Sequence, residues 1–219
     1  MAAVPVSARE GYELWADTWD ATPSPIVAVE ERALSRWLAR VEARRAIDVG
    51  CGTGRWTTRL SALGLDTSPA MLRVAAGKSG LRGRLAVADA ACLPVATASA
   101  DLVLCALTLG HIANPVAAMQ EFCRILVSGG TLLLTDFHPA AAAQGWRRTF
   151  RCGGLVYELE NYTYTVHQLR ATAGLELAEC DEPAIGEPER ALFQTAGRPE
   201  LFEPACRIPA VLLTRWIRV

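Results

Sequence analysis

Between residues 46 and 135, short apolar runs alternate with amphipathic stretches, and nothing else in the chain limits its fold so tightly. The apolar runs fall at 46–49, 63–66, 85–88, 101–107 and 131–135. A short helix is expected over 55–60. Ser68-Pro69 pairs an N-cap with a proline at the first helical position and opens a second helix. That helix carries Met71, Leu72 and Ala75 on one face and stops at Gly77. Asn114-Pro115 opens a third in the same way, with Val116, Met119, Phe122, Cys123 and Leu126 at helical spacing and an end at Gly129-Gly130. Wholly apolar strands alternating with helices predict a parallel sheet covered on both faces. Right-handed crossovers leave few topologies for it. Ligands of such sheets bind beyond the carboxyl ends of the strands.

The flanks are read by the same rules. Ser24-Pro25 starts a helix through residue 43, with Ile26, Val29, Ala33, Trp37 and Val41 on one face. Residues 137–163 mix alanines, arginines and aromatics. A helix over 166–173 is stopped by Gly174, and 175–180 and 208–219 read as two last strands around a loop rich in proline and glutamate.

Composition excludes some classes of function. Lys and Arg number 22 against 23 Asp and Glu, and no basic block stands out, so a nucleic-acid footprint is not expected. No apolar run is long enough to span a bilayer. The opening MAAVPVSARE lacks the order of a secretory signal. The seven cysteines are scattered without a C-x-x-C pair, which predicts reduced thiols, no metal site and a cytoplasmic location.

The glycine-rich turn AIDVGCGTGRW (46–56) follows the first strand. Gly50, Gly52 and Gly54 permit positive φ and a sharp turn, and bare backbone lets a ligand lie against the chain. A pyrophosphate site would need G-x-G-x-x-G, whereas the spacing here is G-x-G-x-G. Asp48, two residues earlier, opposes a phosphate and suits an ammonium group. A ligand with both an amine and a sulfonium, S-adenosylmethionine, fits this loop. Asp66, at the end of the second strand, is placed to accept both ribose hydroxyls. Asp89, at the end of the third, is placed to accept the adenine amine, with the Ala90 N–H near a ring nitrogen.

On DVGCGTGRW (48–56), GLDTSPAML (64–72), VADAACLPV (87–95), GHIANPVAAMQEFCRILVSGG (110–130) and TDFHP (135–139), the chain resembles the small class I S-adenosylmethionine-dependent methyltransferases. The resemblance implies an α/β Rossmann-like, doubly wound, mostly parallel sheet of seven strands in the order 3-2-1-4-5-7-6, the last antiparallel. It implies a single domain of residues 1–219. An N-terminal helical lid (1–45) precedes a cofactor-binding core (46–136), a small substrate cap after strand five (137–165), and a last helix with strands six and seven (166–219). It assigns Tyr12, Trp15, Asp48, Gly50, Cys51, Gly52, Gly54, Asp66, Thr67, Met71, Asp89, Ala90 and Leu107 to the cofactor. Asp66 lies only eighteen residues after Asp48, so the first helix or second strand must be short.

A sulfonium methyl is already electrophilic, so the protein must align the groups and exclude water. His111 and His138, just beyond the fourth and fifth strands, are the candidate catalytic residues, as general base or hydrogen-bond donor. His167 reads as structural, and Cys51 as a small filler. Tyr12, Trp15 and Trp19 share a helix face, as core or as lid. Trp146, Phe150, Tyr157, Tyr162 and Tyr164 include expected acceptor-pocket walls. The expected partner is a small-molecule acceptor, for a monomer or homodimer without nucleic acid or membrane. A nicotinamide-dependent oxidoreductase and a non-catalytic binding protein on the same fold are the competing readings.

Overall fold

A computed structural model describes residues 2–170 and 172–219, and it is built around one seven-stranded sheet. In chain order its strands are β2 (Ala46–Val49), β3 (Leu63–Asp66), β4 (Leu85–Val87), β5 (Ala100–Ala106), β6 (Leu126–Phe137), β9 (Leu175–Asp181) and β10 (Val211–Arg218). Their spatial order is β4-β3-β2-β5-β6-β10-β9. Counted along the chain that is 3-2-1-4-5-7-6. The first five strands run parallel, and β10 is antiparallel to both β6 and β9.

Each face of the sheet is buried because successive side chains of a strand point to opposite sides. From β5, Val103 and Cys105 enter one core with Met119, Phe122 and Ile125 of α5 (Pro115–Ile125), and Trp216 of β10. Leu102 and Leu104 enter the other, with Ala33, Leu34 and Trp37 of α2 (Pro25–Leu38). A fully buried side chain such as Phe122 contributes about 1.5–3 kcal/mol. The helices start where their caps require. Ser24, Ser68 and Asn114 accept the N–H of Val27, Met71 and Val116, and each is followed by proline. Each cap is worth about 1 kcal/mol. The crowding between Asp48 and Asp66 is met by a six-residue helix, α3 (Arg55–Leu60), and the four-residue β3.

Several boundaries differ from the sequence reading. The helix expected to end at Gly129-Gly130 stops at Ile125, and Leu126 is already extended. Gly129, at φ +74°, lies inside β6, where pairing with β5 jumps from Ala100–Leu126 to Leu102–Thr131. The glycine therefore serves a strand irregularity rather than a helix stop. The helix expected over 166–173 is one turn, α7 (Val166–Leu169); Ala171 lies outside the described residues. The loop before the last strand contains α8 (Arg190–Thr195), α9 (Phe202–Ala205) and two 3-10 turns.

The segment ahead of the core is more than helical. A strand β1 (Val4–Val6) precedes α1 (Ala8–Trp19) and pairs in parallel with β8 (Leu155–Leu159), which itself pairs with β7 (Thr149–Cys152). This three-stranded sheet joins the N-terminus to the segment after β6. A short α6 (Pro139–Ala143) connects them. Helix α4 (Pro69–Ala76) receives α1 through Ala16, Ala70 and Met71.

Candidate active site

The carboxyl ends of β2, β3 and β5 open onto a cavity of about 870 Å³, roofed by α1 and by the start of α2. It is lined by Tyr12, Trp15, Asp48, Gly50, Cys51, Gly52, Asp66, Thr67, Met71, Asp89, Ala90, Leu107 and His111. Two residues assigned from sequence are not in it. Gly54 begins α3 at φ +81°, and a Cβ there would sit 2.4 Å from Leu81; its role is close packing behind the loop. His138 caps α6, its Nδ1 accepting the Ala140 N–H at 3.0 Å, with Glu182 3.5 Å from Nε2. It serves as the cap of α6 and is not among the residues that line the cavity.

The glycine loop has a specific hydrogen-bond economy. The N–H groups of Gly50 and Cys51 both donate to the Leu65 carbonyl, at 2.7 and 3.0 Å. That of Gly52 donates to Asp66 Oδ2 at 2.8 Å, and Ser68 N–H donates to Oδ1 at 2.8 Å. The amides of Gly50, Cys51 and Gly52 are thus committed to Leu65 and Asp66, whereas a pyrophosphate site would use the loop amides on the phosphate. At Gly50 a Cβ would strike Thr108 at 2.2 Å, whereas at Gly52 nothing lies within 4 Å. Thr108 in turn bonds the Gly50 and Ala106 carbonyls. The loop therefore presents Gly52 as a flat floor beside the Asp66 carboxylate.

Asp48 is buried, and Thr57 donates to it at 2.6 Å. Burial pushes its carboxyl up to about 7, against the Thr57 hydroxyl and Arg55. Burial also raises Asp66, opposed by the amides that bind it. Asp89 accepts the Ala91 N–H at 2.8 Å and keeps a place on the cavity wall. The Cys51 thiol is driven far above its ordinary range by burial, which suits a filler and not a nucleophile.

His111 is fully engaged. Its ring accepts and donates in fixed directions: Nδ1–H donates to the Glu160 carbonyl at 3.0 Å, so Nε2 bears the lone pair. Arg148 Nη1 and the Tyr12 hydroxyl meet Nε2 at 2.8 and 3.0 Å. Burial first, then the Arg148 charge, hold His111 down at about 3, so it is a neutral acceptor.

Arg148 is the functional residue that the sequence reading missed. From the segment between α6 and β7 it donates to Asp136 at 2.7 Å and to the Leu107 carbonyl at 2.8 Å as well as to His111. Asp136 also accepts the N–H groups of Gly110 and Phe137. Leu107 has φ +55°, a costly conformation for a side chain with Cβ. Its N–H is bound to Thr135 and its carbonyl to Arg148, so the strained turn is held from both sides. Glu30 was missed too: fully buried, it accepts from Arg55, Trp56 and Thr135. A lone acid within the apolar stripe of α2 was the available signal, since a buried charge needs partners. Of the five aromatics expected from the cap, only Trp146 lines the cavity. Phe150 is buried against Trp15, and Tyr157 stacks behind it.

The chain is similar to known proteins in sequence and in fold. Residues 47–134 match the family described as methyltransferase domain. The ubiquinone/menaquinone biosynthesis C-methyltransferase UbiE of Syntrophotalea carbinolica is 31% identical over 159 residues, covering 64% of this chain and 66% of that protein. The chain spans between about a quarter and two thirds of the length of the curated relatives it matches. The S-adenosylmethionine dependent methyltransferase of Mesorhizobium loti superposes with TM-score 0.66 at 24% identity, covering 88% of this chain and 100% of that one. The N-methyltransferase NodS of Bradyrhizobium japonicum, solved with S-adenosyl-l-homocysteine, superposes with TM-score 0.64 at 16% identity over 96% of each chain. Residues 47–134 thus match a methyltransferase domain, and the chain has the fold seen in the solved S-adenosylmethionine dependent methyltransferase of Mesorhizobium loti.

Proposed function

We propose that the chain binds S-adenosylmethionine across the tips of β2, β3 and β4 and transfers its methyl group to a small organic acceptor by in-line displacement. The observation that carries the reading is one cavity edged by Asp48, Asp66 and Asp89 at three successive strand ends, floored by the open flank of Gly52. Asp66 would take the ribose hydroxyls, Asp89 and Ala90 the adenine edge, and Asp48 the amino end. Tyr12, Trp15, Thr67, Met71 and Leu107 would enclose the nucleoside. When bound, the cofactor supplies an electrophilic methyl on a positively charged sulfur. The residues of the chain then hold the reactants in line and keep water out, which lowers the entropic part of the barrier. The relative named for ubiquinone/menaquinone biosynthesis supports a small-molecule acceptor. No helix of the described residues is long and apolar enough to cross a membrane, and all seven cysteines are free thiols. We place the protein in the cytoplasm, as a monomer or homodimer.

Calorimetric titration with S-adenosylhomocysteine tests the cofactor site. Asp66→Ala is expected to weaken binding by about 1–3 kcal/mol, roughly five- to 150-fold, because the ribose hydroxyls lose a buried acceptor. Asp66→Asn, which keeps an acceptor for Gly52 or Ser68, separates this effect from collapse of the loop. Unchanged affinity in both variants would remove Asp66 from the site.

A further inference from the structure

Between β9 and β10 the chain leaves the sheet, and none of the sequence motifs reach this excursion. Its base is closed. The N–H groups of Ala210 and Val211 donate to the Pro183 carbonyl at 3.0 and 3.3 Å, and Ala184 pairs with Pro209. Arg32 of α2 donates to the buried Glu189 at 2.9 and 3.1 Å and to the Ala184 carbonyl at 3.1 Å. Phe193 of α8 meets Phe202 of α9 edge-on, with ring centroids 5.6 Å apart. Val29, Ile185, Phe202, Ala205, Ala210 and Val211 form an apolar core beneath it. The excursion is therefore a fixed wall.

The cavity is divided along the sheet. Asp66 and Asp89 stand at the ends of β3 and β4, to one side of β2. The excursion stands on the other side, over β6 and β10: Val211, in its core, lies opposite Phe137, which lines the cavity. The wall there is made by Ile26, Trp146, Ile185, Phe193, Leu201 and Ile208. The start of α2 and the excursion give the cavity no ionisable side chain; the carboxylates and arginines of the lining come from α1, the strand ends, Arg55 and residues 147–160. Of the six wall residues only Ile185 is buried. Ile26, Trp146, Phe193 and Ile208 are half-buried, and Leu201 is 41% exposed. Apolar surface turned toward a cavity rather than a core is area still in water, and a ligand that covers it gains by doing so. The polar groups of a nucleoside find their partners on the other half.

Resting on the methyl-transfer reading, we infer that the acceptor has an uncharged apolar body that lies against the excursion, and that Phe193 and Leu201 select it. With no ionisable group on this wall, selection follows the apolar area that the body buries and its fit to the wall. The specificity of the enzyme is thus set by the segment between β9 and β10.

The test is calorimetric titration of hexanol, octanol and octanediol into the full chain saturated with S-adenosylhomocysteine. A buried methylene is worth about fourfold in affinity, so octanol is expected to bind at least about tenfold more tightly than hexanol. Octanediol, of the same length but polar at both ends, is expected to bind at least about threefold more weakly than octanol. Phe193→Ala and Leu201→Ala should each weaken octanol at least about threefold, while Phe193→Leu, which keeps most of the apolar area, stays within about twofold of the wild type. Val116→Ala removes an exposed apolar group of α5 that does not line the cavity, and it should leave octanol binding unchanged. Binding that ignores chain length, or ignores both alanine variants at the wall, would overturn the inference. So would octanol that displaces S-adenosylhomocysteine, because it would then occupy the nucleoside half. Octanol that fails to bind beside bound S-adenosylhomocysteine sinks this inference alone. If S-adenosylhomocysteine itself fails to bind, the methyl-transfer reading falls and takes the inference with it.

Discussion

Asp48 sits where its charge is contested. Burial favours the neutral acid, and its carboxyl is pushed up to about 7. A ligand ammonium nearby would favour the anion, so binding should draw the proton off. Affinity for S-adenosylhomocysteine is expected to rise from pH 5.5 to 7.5, by close to tenfold per unit below 7 where the acid form dominates. His111, held at about 3, is neutral across this range and adds no slope. Asp48→Asn should flatten the profile, and titrations in buffers of different ionisation enthalpy should show proton release in the wild type only. The sign for the unliganded fold is opposite. A carboxyl raised on folding stabilises the fold while protonated, and that contribution is lost as pH rises through 7. Much at this scale could be read in the sequence, because Asp48, Gly52 and Asp66 lie in one short run with fixed offsets. The use of Gly54 could not, since what it avoids is Leu81, far along the chain.

Among the elements, the cap after β6 depends on one buried ion pair. Arg148 and Asp136 have side chains 12% and 10% exposed, and Arg148 also ties the ends of β5 and of the turn carrying His111. Arg148→Ala leaves the buried Asp136 carboxylate with two backbone amides and no countercharge, at a cost of about 3–5 kcal/mol. For a chain of this length that predicts a fall in Tm of roughly 6–20 °C. The double variant Arg148→Met, Asp136→Asn should recover part of it, because no charge is left buried alone. In Arg148→Ala the His111 ring should also titrate at higher pH, since one cause of its depression is gone; NMR of the ring protons measures this. If Tm is unchanged, the pair does not carry the cap. Sequence patterns reached these elements unevenly. Periodicity and caps located α2, α4 and α5 because those signals are local. The stop at Ile125 was missed because the glycines that resemble a helix end serve the β5–β6 register instead. The excursion before β10 read as a loop because its helices are only four and six residues long, too short to show a period.

At the scale of the molecule, two regions of unlike stability meet over the cavity. The seven-stranded sheet is buried on both faces, with residues of β5 and β6 fully enclosed. Helix α1 buries only Gly11 and Ala16. It is held at a few points: Glu13 accepts Ser68 Oγ and the Ala70 N–H at the start of α4, and Asp20 pairs with Lys78 and accepts from Thr53 in the glycine loop. Gly11 lets it lie against β8, where a Cβ would strike Leu159 at 2.1 Å. Elements with few buried contacts open locally at low cost, so α1 and β1 are expected to exchange amide hydrogens much faster than β5 and β6. Yet Tyr12, Trp15 and Trp19 on α1 line the cavity, and a bound nucleoside would add contacts that exist only when α1 is down. Ligand at 100 times its dissociation constant stabilises the closed form by about 2.7 kcal/mol, close to a hundredfold in the opening equilibrium. Hydrogen exchange with saturating S-adenosylhomocysteine should therefore slow α1 and β1 by one to two orders of magnitude and leave β5 and β6 nearly unchanged. Slowing spread evenly over the chain would mean that α1 opens only with the whole fold. No slowing in α1 despite measurable binding would mean that the nucleoside is held by the strand tips alone.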